Sequence, residues 1–405
     1  MKKAQRGPIV KLSEVASVQS GAGFPQIFQG ERNLQFPFYK VSDMNLAGNE
    51  VEMTNETNSI SEETRKKLGA TVFPHGSVIF PKVGGAIATN KKRLIVRPAC
   101  VDNNVMGVIP ETAKINSRLL FYFFHAHDLS EFANDAGLPS ITKTTVENWV
   151  LGTLPPLSEQ QRIVGLLDEA FASLATAQAH AAQNLQNARA LFESHLNAVF
   201  TNRGNDELEK RLKEFVDDIS TGPFGSLLHK SDYEVGGVPL VNPINIVDSK
   251  VVPDERKAVG EATAKRLSRY ALQEDDIVIG RRGEIGRCAV ISADQAGWLC
   301  GTGSFFIRPS NQMDPHFLGH LLRSPHYRKQ LEQLSDRATM PSISNSDLAN
   351  LVIAVPAVQR QKRIVSLLDD VVHETQRLES IYQRKLAALD ELKKALLHQA
   401  FSGEL

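Results

Sequence analysis

Four groups of short polar segments carry the side chains that could do chemistry, and each group occurs twice. Ser20-Gly21-Ala22-Gly23-Phe24 returns as Ser220-Thr221-Gly222-Pro223-Phe224, Val41-Ser42-Asp43-Met44-Asn45 as Val241-Asn242-Pro243-Ile244-Asn245, and Lys82-Val83-Gly84 as Arg281-Arg282-Gly283. Leu138-Pro139-Ser140-Ile141-Thr142 returns as Met340-Pro341-Ser342-Ile343-Ser344. Glycines let backbone approach a ligand closely, hydroxyls and amides bond phosphates or base edges, and a basic residue after a strand supplies a charge-assisted partner. Lys82, Lys91, Lys92, Arg93, Arg281, Arg282 and Arg287 are candidates for phosphates or guanine edges. Ser20, Phe24, Lys40, Ser42 and Asn45, with Ser220, Thr221, Phe224, Asn242 and Asn245, are candidates for base-edge reading or positioning. Ser140, Thr142 and Lys143, with Ser342, Ser344 and Asn345, complete the set, although Thr142 and Ser344 could instead cap short helices. Turn geometry alone would account for the glycines; the repetition favours a surface that grips a duplex.

No catalytic constellation accompanies these loops. Walker, GxSxG and HExxH patterns are absent from the sequence, and Gly301-Thr302-Gly303 lacks the strand and helix context of a nucleotide site. Asn242-Pro243-Ile244-Asn245 approaches the Asn-Pro-Pro-aromatic motif of amino-methyltransferases but lacks the second proline and the ring, and is rejected as an active site. His125 and His127 lie beside an apolar stretch, where packing is the simpler role. Cys100, Cys288 and Cys300 have no CxxC spacing and read as buried thiols, so neither a disulfide framework nor a metal site is expected.

The chain has 405 residues, 42% of them hydrophobic and 23% charged, which is enough for two or more domains with their own cores. The 46 basic residues match the 46 acidic ones, which argues against coating nucleic acid by bulk electrostatics and leaves local patches as the alternative. No apolar run is long enough to span a bilayer, and Met1-Lys2-Lys3-Ala4-Gln5-Arg6 leads into no signal core, so a cytoplasmic protein is expected.

What must position the loops is a duplicated scaffold. Gln161-Arg162-Ile163-Val164-Gly165-Leu166-Leu167-Asp168 recurs as Lys362-Arg363-Ile364-Val365-Ser366-Leu367-Leu368-Asp369, a shift of 201 positions, and Pro155 and Phe200 recur as Pro356 and Phe401. Such a period implies two copies of one domain about a pseudo-twofold axis rather than a solenoid. Residues 1–154 and 205–355 read as α+β domains, with short β-type runs such as 77–80 and 276–279, and buried helices following Asn116-Ser117 and Asp314-Pro315. Residues 155–204 and 356–405 read as spacer helices. Ser158 with Gln161 suggests a capping box at the start of the first. From there Ile163, Leu167, Ala170, Leu174, Ala177, Ala181, Leu185, Ala188, Phe192, His195 and Val199 keep one narrow apolar stripe, matched by Ile364, Leu368, Val371, Thr375, Leu378, Tyr382, Leu386, Leu389, Leu392 and Leu396. Each helix runs for roughly 40 residues, about 60 Å. The stripes predict an antiparallel coiled coil holding the domains at a set separation; the alternative is that each helix folds back on its own domain.

This pattern resembles the specificity subunits of type I restriction-modification systems over nearly the whole chain. The resemblance rests on Pro155-Pro156-Leu157-Ser158-Glu159-Gln160-Gln161-Arg162-Ile163-Val164, on Val355-Pro356-Ala357-Val358-Gln359-Arg360-Gln361-Lys362-Arg363-Ile364-Val365, and on Ala400-Phe401-Ser402-Gly403-Glu404-Leu405. The second copy departs from the first at Gln359 and Arg360, which weakens the expected cap there. The resemblance implies two target-recognition domains, each reading half of a bipartite double-stranded DNA site across a non-specific gap. It further implies two modification subunits that carry S-adenosylmethionine and methylate adenine, and restriction or motor subunits that use ATP with magnesium. This chain would itself hold no cofactor and no catalytic residue. Two rivals stand beside it: a protein-binding scaffold with two ligand domains, favoured by the zero net charge, and an enzyme with a site between domains, opposed by the missing motifs.

Overall fold

The computed structural model describes residues 9–134, 137–202, 207–283, 285–335 and 342–405; the landmarks Met1–Arg6 and Met340-Pro341 lie outside them. The chain divides into two units, 1–181 with 384–405, and 182–383. The division falls within the long helices, because each helix buries its two halves in different cores.

In the first unit, a five-stranded sheet runs in the order Ala16–Ser20, Val105–Pro110, Val78–Pro81, Arg93–Ile95, Glu52–Met53. In the second, the corresponding sheet runs Val216–Thr221, Ser304–Pro309, Ile277–Gly280, Cys288–Val290. The two leading strands pair antiparallel with the same neighbour in each unit, Ser17 opposite Ile109 and Ile219 opposite Ile307. A smaller mixed sheet accompanies each, with Phe36–Tyr39 parallel to Cys100–Val101 and Val238–Val241 parallel to Leu299–Cys300. The larger sheets are mainly antiparallel, with helices packed against them in shared cores, as an α+β reading requires.

The buried helices form where capping and apolar content place them. Ser117–His125 starts at Asn116, whose side chain accepts from the backbone N–H of Arg118 and Leu119; Pro315–Arg323 starts at Asp314, which accepts from Phe317. Leu119 through Phe124, and Phe317 through Leu322, are all buried. The three cysteines are buried free thiols, and burial pushes Cys100 up to about 12 and Cys288 up to about 11.

The two long helices span Leu157–Thr201 and Val358–Ser402, 45 residues each. Within each unit their segments run antiparallel. In the first unit Arg162 reaches the Leu405 carbonyl at 2.9 Å and Gln178 reaches Asp390 at 2.6 Å; in the second, Arg189 pairs with Glu379 at 3.2 Å. Each unit's core takes the start of one helix and the end of the other. Ile163 and Leu167 share a core with Leu397 and Ala400, and Leu368 shares one with Leu196 and Phe200. The antiparallel pairing expected of the long helices holds within each unit, and their ends also pack into the domain cores. The stripe also drifts: His195 and Leu392 are exposed, and Leu196 and Leu397 are buried instead. A straight helix turns 3.6 residues per turn, so a strict seven-residue stripe walks around it toward the far end.

Candidate nucleic-acid interface

The polar loops of the first unit converge at the ends of its central strands. After Ser20, Gly21 donates to the Val105 carbonyl and Ala22 to that of Val101, both at 3.0 Å. A Cβ at Gly21 would stand 2.0 Å from the Asp102 carbonyl oxygen, and at Gly222 of the second unit 2.2 Å from that of Gly301. Only glycine permits this crossing of strand end and turn. Lys82 Nζ donates to Ser20 Oγ at 3.0 Å, the Ile141 amide donates to the Lys82 carbonyl at 2.9 Å, and Val83 bridges Ser140. Ser20, Lys82 and Ser140 are thereby brought together.

The second unit repeats the framework with different side chains. The Arg281 amide donates to Gly303 and the Ile343 amide to Arg281, at 3.0 and 3.1 Å, while Arg282 bridges Ser342. Asn345 Nδ2 donates to the Ile219 carbonyl at 3.4 Å beside Ser220 and Thr221. Arg287 reaches the Pro243 carbonyl at 3.5 Å, and Asn242 Oδ1 accepts from the Gly303 amide at 3.2 Å. The Arg281 guanidinium lies over the Phe305 ring, 5.5 Å from its centroid, and burial followed by the charge of Arg282 lowers its pKa. Arg282 is exposed.

Several sequence-derived candidates take other roles. Lys92 and Arg93 are not surface cations. Lys92 is 1% exposed and donates to Asn90 Oδ1 at 2.5 Å and to the His127 carbonyl at 2.8 Å, and Arg93 donates to the carbonyls of Lys92 and Met44. They lead and open a central strand, where the Arg93 stem packs inward, so these charges cannot face a phosphate. Lys91, their neighbour, bonds Asn45 and remains with the loop set. Thr142 and Ser344 each cap a short helix, accepting from the amides of Thr145 and Asp347 at 3.1 Å. Lys143 pairs with Glu147 at 3.6 Å.

The second loop pair is also shifted. The Lys40 amide donates to Asp43 Oδ2 at 2.7 Å, and the Asn242 amide donates to Asn245 Oδ1 at 3.0 Å. Asp43 is therefore the counterpart of Asn245, both being buried turn formers. Asn45 and Ser42 are exposed. Lys40 reaches Gln29 at 3.1 Å, which in turn holds the Phe24 carbonyl. Phe24 stacks flat on Phe38 with centroids 3.8 Å apart, whereas Phe224 is 60% exposed. Two participants escaped the sequence reading: the Asp102 turn, and its counterpart Gly301-Thr302-Gly303, where Thr302 donates to the Pro223 carbonyl at 2.7 Å. Burial raises Asp102 above the usual carboxylate range. The repeated glycines of the second turn were a signal, considered only as a nucleotide loop.

Burial pushes Lys92 down to about 8. A lysine lowered on folding binds fewer protons in the folded state, so its contribution to stability increases as pH rises from about 8 toward 10.5. Lys92→Met should remove that increase, read by urea unfolding at pH 8 and pH 10, and should leave the salt dependence of DNA binding unchanged. A lower salt slope in this variant would return Lys92 to the surface set.

The family described as the type I restriction modification DNA specificity domain matches residues 8–184 and again 209–385. The chain belongs to this family. Both copies begin 201 positions apart, the same shift that separates the two spacer starts. The chain is 23% identical to the type I restriction enzyme EcoBI specificity subunit of Escherichia coli, over 98% of this chain and 85% of that one. It is 24% identical to the MjaVIII specificity subunit of Methanocaldococcus jannaschii, over 70% of each. Two solved structures share the fold. The HsdS subunit from Thermoanaerobacter tengcongensis superposes with a TM-score of 0.63 at 20% identity, over 98% of this chain and 97% of that one. A chain from work on complex assembly and conformational transition of the type I R-M system gives 0.77 at 21%, over the full length of both. DNA sequence specification in a type I restriction-modification system is accordingly the function, and a scaffold without a DNA role is not favoured. Among the described residues, no helix is long and apolar enough to cross a membrane.

Proposed function

We propose that this subunit reads a bipartite double-stranded DNA site, with the loop cluster around Ser20, Lys82 and Ser140 on one half and that around Thr221, Arg282 and Ser342 on the other. The observation that carries this reading is the recurrence of one backbone framework in both units with different side chains on it, Lys82 against Arg281 and Asp102 against Gly301. Equal frameworks place the readers alike, and unequal side chains let them prefer different bases. Two modification subunits carrying S-adenosylmethionine would dock with this chain and methylate adenine, while restriction or motor subunits would bring ATP and magnesium. The chain itself would hold no cofactor and perform no chemistry, leaving base extraction and methyl transfer to its partners. Tethering two weak readers makes the second engagement intramolecular, so affinity multiplies only at the right spacing.

Sequencing of methylated adenines in cells expressing the chain with its modification subunit tests this directly. Two fixed short sequences at a fixed separation are the expected result, with salt-sensitive gel retention of that site by the complex. A single undivided motif would sink the bipartite reading, and methyl transfer by the isolated chain would restore the enzyme alternative.

A further inference from the structure

Each long helix is fastened to its own recognition domain by one fully buried glutamine. Gln160 is 1% exposed and Gln361 is inaccessible. Gln160 Nε2 donates to the carbonyls of Pro155 at 2.8 Å and Lys114 at 2.9 Å, and its Oε1 accepts from the Asn116 amide at 2.7 Å. Gln361 repeats all three: Pro356 at 2.8 Å, Gln312 at 2.9 Å and the Asp314 amide at 2.7 Å. Asn116 and Asp314 are the residues that cap the buried core helices. The amide thus ties three things at one point: the residue two positions before the spacer helix, the turn before the core helix, and the cap of that helix. No expectation drawn from sequence named this pair. The capping-box reading chose Gln161, but the helix begins at Leu157, which puts Ser158 inside the first turn, and Gln161 is exposed.

A side-chain amide with both donors and its acceptor engaged in a dry site has a single acceptable position, since any rotation leaves buried polar groups unpaired. Apolar packing beside it is less directional. Ile163 and Leu167, or Leu368, meet the domain core through non-directional apolar contacts, whereas the three-way bond holds one geometry. Farther along, Asp168 accepts from Arg118 at 2.8 Å and also bonds Tyr122, while Asp369 meets His320 at 3.5 Å. These second attachments differ between the units; the glutamine does not.

We propose that Gln160 and Gln361 are positioning residues that fix the direction in which each spacer helix leaves its recognition domain, and so sharpen the choice of gap length without touching DNA. This rests on the bipartite reading above. The test uses the full chain with its modification subunit and a DNA library in which the two half-sites, defined from the wild-type methylome, are separated by gaps varied one base pair at a time. For Gln160→Leu and Gln361→Leu, the preference for the native gap over gaps one base pair longer or shorter should fall about tenfold each, while the half-site sequences stay the same. The exposed neighbour Gln161→Leu should leave gap preference at the wild-type value. Thermal melting reports whether each variant folds. Should the leucine variants fail to fold, Gln160→Glu and Gln361→Glu, which keep the volume and the acceptor for the Asn116 or Asp314 amide but lose the donors, are read in the same library and should show the same loss. Folded variants with unchanged gap preference, or with altered half-sites and an intact gap, overturn the assignment. A wild-type complex indifferent to the gap would instead overturn the bipartite reading itself, before any variant is compared.

Discussion

Removing one heptad from residues 163–199, together with the matching seven residues of 364–400, should move the preferred gap by roughly three base pairs and leave both half-site sequences alone. Seven residues shorten a helix by about 10 Å, and DNA rises about 3.4 Å per base pair. Both long helices are unbroken over 45 residues, so the change has no loop in which to dissipate. A whole heptad is required because a smaller deletion would rotate the apolar stripe off its partner. Paired deletion keeps the antiparallel contacts in step. At the original spacing the second half-site becomes unreachable, so affinity for the wild-type site should drop by about 10² to 10⁴, the usual advantage of a tethered second engagement. Binding to the gap library and methylome sequencing both read this outcome. Altered half-sites at an unaltered gap would count against helix length as its determinant.

The second large effect concerns charge. Lys82→Ala combined with Arg282→Ala should reduce the slope of log affinity against log salt by about 1.8, since each phosphate contact contributes about 0.9. Lys82 follows directly on the Val78–Pro81 strand, and Arg282 stands one position beyond its counterpart Arg281, which follows directly on the Ile277–Gly280 strand. Arg282 is exposed, and the ammonium of Lys82 is held by Ser20 Oγ at 3.0 Å. Neither side chain supports a core, so melting should be nearly unchanged. Fluorescence anisotropy on the methylome-defined site between 50 and 200 mM salt gives the slope. An unaltered slope would remove these turns from the DNA contact. A slope that falls together with relaxed base preference at one position would mean that one of the two reads a base edge.

Much of the architecture was legible because it rests on periodicity. The 201-residue repeat, the narrow stripes and the Asn116 and Asp314 caps are local patterns, and local patterns survive folding. Burial was the harder quantity. Lys91, Lys92 and Arg93 read as one basic cluster, but a strand points successive side chains to opposite faces and a core can hold a lysine whose donors are satisfied. The loop register misled for a related reason. Matching at a shift of 200 paired Asn45 with Asn245, whereas the turn hydrogen bonds pair Asp43 with Asn245, because Asp and Asn close the same turn through the same oxygen. Gln160 and Gln361 stayed hidden among polar neighbours, since nothing in composition separates a buried amide from the exposed one beside it.

The first unit's core is closed by residues from the far end of the chain. Leu397 and Ala400 are buried in it, Phe123 meets Phe401 edge-on at 5.6 Å, and Arg162 holds the Leu405 carbonyl. During synthesis, therefore, the first unit waits with an open apolar seam until residues 397–401 have emerged, after everything in 182–383 that the other unit needs. The order of emergence is the reverse of the order of completion.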